Sequence, residues 1–132
     1  MQPTHSRIIL VVENATNLSI GRNLLKPHYE VYPAPSVNKL FEILENVIPD
    51  LVLLDIEMPD MNGFEAIKKM KGDNRFNAIP VICLTSKTDE IIETEGFSLG
   101  AVEYVSKPFS GPLLQKRVAN QLYIEQQKKG LM

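Results

Sequence analysis

The sequence has 132 residues, enough for one domain with a single core, and its 44% hydrophobic and 23% charged residues are ordinary globular values. A net charge of −2, from 14 basic and 16 acidic residues, gives no general attraction to nucleic acid or to an anionic membrane. The longest apolar run, residues 8–12, is too short to span a bilayer, residues 1–7 lack a signal-peptide core, and a single cysteine excludes an internal disulfide, so a cytoplasmic protein is the expectation.

Residues 7–12 are a β-branched run and read as the first strand. The polar stretch 13–17 offers N-cap residues, and Leu18, Gly21, Leu24 and Leu25 keep helical spacing up to Lys26-Pro27. Residues 29–34 form a short second strand, which Pro33 and Pro35 assign to a sheet edge. Ser36 is placed to cap a helix whose stripe is Val37, Leu40, Phe41, Leu44 and Val47, spaced for core packing. The four apolar residues Leu51-Val52-Leu53-Leu54 then end in Asp55, between Pro49 and the turn residues Pro59 and Gly63. Such a run suits a strand buried on both faces of a parallel sheet. Asp also suits turns, so Asp55 alone says little.

Gly63 opens a third helix with Phe64, Ile67 and Met70 on one face, closed by residues 71–74. Residues 79–84 are a fourth strand ending at Thr85-Ser86, and Cys83 within it is expected to be a buried, inert thiol. Helix four begins at Thr88-Asp89-Glu90. Gly96 inside it costs about 1 kcal/mol against Ala, which predicts a marginal, mobile helix, and Gly100 caps it. Residues 102–106 are the fifth strand, ending at Lys107-Pro108, and Gly111-Pro112 starts a last helix with the stripe Leu114, Val118 and Leu122. Residues 126–132 read as a polar, fraying tail.

Five strand-then-helix units predict an α/β fold: a doubly wound, five-stranded parallel sheet in the flavodoxin-like order 2-1-3-4-5, with helices on both faces. The strand ends then deliver Glu13, Asp55, Thr85 with Ser86, and Lys107 to one rim. Two neighbouring carboxylates call for a cation, and Mg²⁺ suits one or two carboxylates plus phosphate oxygens. A lysine and a hydroxyl opposite suit the phosphate oxygens themselves. The set fits phosphoryl transfer to Asp55 as nucleophile, with Lys107 and the metal neutralising charge and Thr85 donating a hydrogen bond. Taken singly, Glu13 is also what a solvated turn would carry, Thr85 what a strand end would carry, and Lys107 what any surface would carry. Their joint placement at strand ends carries the argument.

The segments Ile9-Leu10-Val11-Val12-Glu13-Asn14, Leu53-Leu54-Asp55 through Asn62-Gly63, Leu84-Thr85-Ser86 and Tyr104-Val105-Ser106-Lys107-Pro108-Phe109 together resemble a response-regulator receiver domain, over residues 7–127 of a single domain, 1–132. The resemblance implies that Asp55 accepts a phosphoryl group from a phosphohistidine on a sensor histidine kinase or phosphotransfer protein. It implies Mg²⁺ held by Glu13, Asp55 and the backbone carbonyl of Glu57. It assigns Thr85 and Lys107 to the phosphoryl oxygens, Thr85 and Tyr104 to the switch, and a cis Lys107-Pro108 bond to the aim of Lys107. The output is a changed surface of helix four, strand five and helix five, open to a homodimer, with no further enzymatic activity. Residues 108–126 resemble receivers joined to cyclic-dinucleotide enzymes or kinases, so a receiver excised from a longer protein is expected.

One residue departs from the family pattern: Val12 stands where the first of two adjacent acids is usual, which weakens the metal site. Val12 thus favours a second reading, a receiver-like module that binds partners without phosphorylation. A third reading, a flavin-binding domain of similar topology, lacks support, because the turn after strand one offers an acid and amides where a phosphate cradle of hydroxyls and glycines would help. Glu57 and Lys87, each two residues beyond a site residue, are expected to pair across the rim as modulators that slow loss of the phosphoryl group.

Overall fold

The computed structural model describes residues 6–57, 63–86, 90–107 and 110–130. Five strands alternate with five helices: β1 (Arg7–Val11), α1 (Ala15–Leu25), β2 (Glu30–Ala34), α2 (Val37–Leu44), β3 (Leu51–Asp55), α3 (Gly63–Lys71), β4 (Val81–Thr85), α4 (Glu90–Leu99), β5 (Glu103–Ser106) and α5 (Gly111–Gly130). The strands form one sheet in the order β2-β1-β3-β4-β5, and every pairing is parallel. The expected topology is therefore the observed one. Pro33 lies on the edge strand β2, where its missing N–H interrupts no inner ladder.

Period-two alternation of the strands divides the core into two layers. Ile9, Val11, Val52, Leu54, Val81 and Cys83 pack with Val37, Leu40 and Leu44 of α2 and Ala66, Ile67 and Met70 of α3. Ile8, Leu10, Leu51, Leu53, Ile82, Leu84 and Val105 pack on the other face with Leu25 of α1 and Leu114 and Val118 of α5. β3 and β4 are buried along their whole length, the signature of inner parallel strands covered on both faces.

Local signals set the helix ends. The Asn14 side chain accepts the Asn17 N–H at 3.0 Å and starts α1, and Ser36 Oγ accepts the Lys39 N–H at 3.1 Å and starts α2. α4 ends at Gly100, whose φ of +115° is a conformation that L side chains rarely adopt. The polar tail expected to fray from residue 126 is instead helical to Gly130. Gln121 donates to Glu125 at 2.8 Å and Lys128 to Glu125 at 3.3 Å, spacings that support a helix even without a core beneath it.

Candidate functional site

The parallel register builds the site. Asp55 is paired with Leu84 and Thr85 with Ser106, while β1 leaves the sheet next to Leu54. The residues that close β1, β3, β4 and β5 therefore share the carboxyl rim, where open α/β sheets bind ligands. The Lys107 N–H donates to the Thr85 carbonyl at 2.9 Å, which fixes where the lysine stem departs. Its ammonium lies 2.9 Å from Asp55 Oδ2, with the two side chains only 15% and 5% exposed. Asp55 Oδ1 accepts the Glu57 N–H at 2.9 Å. A pair this buried says little about stability, because desolvation offsets much of the attraction. It does hold a buried carboxylate at the carboxyl rim in one orientation, with a cation opposite.

The Glu57 side chain turns the other way, toward the end of β4. Its Oε1 accepts Thr85 Oγ1–H at 2.5 Å and the Ser86 N–H at 2.6 Å, and Ser86 Oγ lies 3.0 and 2.8 Å from its two oxygens. Burial alone would push the Glu57 carboxyl up. The Thr85 and Ser86 hydrogen bonds, helped by the Lys107 charge, outweigh burial and hold it at about 2. Glu13 stands exposed just past β1, while Val12 is fully buried beside Ile8, Leu10 and Leu53.

A family model of the response regulator receiver domain matches residues 8–119. The chain belongs to that family. The receiver is 41% identical over 125 residues to a Vibrio cholerae protein named "Probable cyclic di-GMP phosphodiesterase", covering 95% of this chain and 28% of that protein. It is 34% identical over 119 residues to the sensor histidine kinase TmoS of Ectopseudomonas mendocina, covering 90% of this chain and 12% of that one. The chain thus spans less than a third of either relative. Among solved structures, a CheY-like receiver domain protein from Methanospirillum hungatei superposes with a TM-score of 0.87 at 24% identity, covering 95% of this chain and 99% of the other. The receiver domain of a Pseudomonas aeruginosa sensor histidine kinase, solved with a magnesium ion in its active site cleft, superposes with a TM-score of 0.81 at 22% identity, covering 90% and 98%. These two likenesses show the fold. Receivers are signalling modules of two-component systems, and no helix among the described residues is long and apolar enough to cross a membrane.

The donors on this receiver's rim fit a hard cation in kind: the Glu13 and Asp55 carboxylates and the Glu57 carbonyl are all oxygen donors. Val12 adds none, because its side chain belongs to the core. Among the described residues, no three His, Cys, Asp or Glu side chains converge as a ready-made metal group.

Tyr104 lies one strand over from the cleft. Its hydroxyl donates to the Ile92 carbonyl of α4 at 2.8 Å, and its ring meets Phe97 edge-on at 5.1 Å. Burial, followed by the neighbouring Cys83 thiol and the Glu93 charge, raises the phenol well above its usual range. The ring lies over Gly96: a Cβ there would stand 1.8 Å from the Tyr104 hydroxyl. Gly96 therefore makes room for Tyr104, a role that helix propensity does not contain.

The structure brings Asp55 together with Lys107, and Thr85 together with Glu57. The expected Lys87 partner of Glu57 and the expected cis Lys107-Pro108 bond fall on residues 87 and 108, outside the described residues. Sequence reasoning placed Ser86 beside Thr85 without giving it work. Its N–H and hydroxyl both serve Glu57, and the only signal was a second hydroxyl residue at a strand end.

Proposed function

We propose that this receiver is a phosphoacceptor switch in which Asp55 takes a phosphoryl group from the phosphohistidine of a sensor histidine kinase or phosphotransfer protein. The observation that carries the reading is the oriented Asp55 carboxylate, buried to its rim, with the Lys107 ammonium 2.9 Å away. In the transfer the histidine N–P bond breaks as an Asp55 O–P bond forms, and the imidazole leaves with the freed electron pair. Lys107 stabilises negative charge on the phosphoryl oxygens, and Thr85 donates its hydroxyl to them. Glu13, Asp55 and the Glu57 carbonyl would hold Mg²⁺, which supplies further charge neutralisation when bound. Glu57 and Lys87 modulate how long the phosphoryl group lasts.

Drawing Thr85 toward a phosphoryl oxygen biases its neighbours on β4, β5 and α4, so the output surface is that of α4, β5 and α5. Phe97 and Leu113, both exposed on that surface, offer apolar contact to a partner or a second copy. A kinase-fed switch works in the cytoplasm. The competing reading, a binding module that is never phosphorylated, is favoured by Val12 alone. The deciding experiment is mass spectrometry of the intact protein after treatment with Mg²⁺ and acetyl phosphate. One added phosphate in the wild type and none in Asp55→Asn is expected. An equal phosphate level in both would overturn the assignment.

A further inference from the structure

The donors that the switch needs for phosphoryl oxygens already hold an anion. Thr85 Oγ1, the Ser86 N–H and Ser86 Oγ all converge on the Glu57 carboxylate within 3.0 Å. Thr85 and Ser86 sit at the end of β4, one and two residues beyond Leu84, the register partner of Asp55. The backbone geometry makes the reach possible, because the Glu57 N–H is tied to Asp55 Oδ1 and the side chain is left to span the gap between the two strand ends. A carboxylate and a phosphoryl group present the same chemistry here, anionic oxygens accepting from N–H and O–H. The two anions cannot share one set of donors without severe repulsion at this distance.

We infer that Glu57 is a built-in competitor for the phosphoryl group: its carboxylate occupies the Thr85–Ser86 donors in the unphosphorylated receiver and has to swing out when Asp55 is phosphorylated. This inference rests on the reading of Asp55 as phosphoacceptor. Glu57 is then a positioning residue. It keeps the Thr85 hydroxyl directed into the cleft before any phosphate arrives, and it opposes phosphoryl retention by the hydrogen bonds it must surrender. Side-chain length matters: an aspartate is one methylene shorter, and a glutamine turns one acceptor into a donor facing donors.

The test titrates beryllofluoride, a phosphoryl mimic, against wild type, Glu57→Ala, Glu57→Gln and Asp55→Asn at saturating Mg²⁺, with binding read by calorimetry. Glu57→Ala is expected to bind about tenfold more tightly than wild type, since it has no charge-assisted hydrogen bonds to give up, with Glu57→Gln between them. A second readout needs neither metal nor mimic. The Ser86 amide proton, bonded to a carboxylate in the wild type, should move upfield in Glu57→Ala. Binding to Glu57→Ala that is equal to or weaker than binding to wild type, or an unmoved Ser86 amide, overturns the competition while leaving Asp55 as acceptor. Absence of binding to every protein, or undiminished binding to Asp55→Asn, overturns the acceptor reading itself, and the competition falls with it.

Discussion

Replacing Gly96 by alanine sets two magnitudes against each other. In an isolated helix the change stabilises by about 1 kcal/mol. In this receiver the new methyl would stand 1.8 Å from the Tyr104 hydroxyl, 2.8 Å from its ring carbon and 3.2 Å from Phe64. No side-chain adjustment of a few tenths of an ångström relieves such an overlap, so the Tyr104 ring must leave α4. Leaving forfeits the hydrogen bond to Ile92, roughly 0.5–1.5 kcal/mol, and the edge contact with Phe97, roughly 0.5–1.5 kcal/mol. Set against the helix gain, the net is a loss of roughly 0–2 kcal/mol. In a Tyr104→Ala background the obstruction is gone, and the same substitution should stabilise by up to about 1 kcal/mol. Urea unfolding of the wild type, both single variants and the double variant gives the coupling directly, and a value of roughly 1–3 kcal/mol is expected. Equal stabilisation by Gly96→Ala in both backgrounds would refute the idea that the glycine exists to seat the tyrosine.

Two further outcomes follow from burial. Val12→Asp places a carboxylate where a fully buried valine packs, so it should lower the melting temperature without Mg²⁺, and adding Mg²⁺ should raise the melting temperature of this variant more than that of the wild type. Differential scanning fluorimetry at several Mg²⁺ concentrations measures both effects. Cys83 is fully buried and burial pushes its thiol up to about 12, so a thiol-specific disulfide reagent at pH 8 should react only as fast as the receiver opens, and at full speed in denaturant.

Much of the architecture was legible because it rests on local chemistry. Asn14, from the polar stretch 13–17 that offers several N-cap residues, caps α1, Ser36 caps the helix expected after it, Pro33 marks an edge, and Asp55 closes a strand buried on both faces. The meeting of Asp55 with Lys107 followed from strand order and from nothing finer. What sequence could not supply was the target of a flexible side chain. Charge complementarity directed Glu57 toward Lys87. Lys87 lies outside the described residues; what the sequence did not show is that the hydroxyl and N–H donors at the end of β4 surround the Glu57 carboxylate, a closeness that depends on the register of β3 against β4. Gly96 was opaque for the same reason, since the ring it accommodates comes from the neighbouring strand eight residues later. The polar composition from residue 126 predicts a fraying end, yet glutamine, lysine and glutamate are good helix formers and α5 continues to Gly130.

The division of the core by the sheet has a mechanical consequence. Tyr104, Cys83, Phe64 and Ile92 all lie in the layer that also holds α2 and α3, whereas α1 and α5 anchor their buried leucines and valines in the other. The sheet is a bulkhead between two compartments that, among the described residues, share no side chain. Under the proposed switch, a change of seat by Tyr104 would repack its own compartment, while the Leu25, Leu114 and Val118 contacts lie behind the bulkhead. A partner reading the proposed surface of α4, β5 and α5 would thus touch both compartments at once: α4, packed with Tyr104, and α5, anchored behind the bulkhead by Leu114 and Val118.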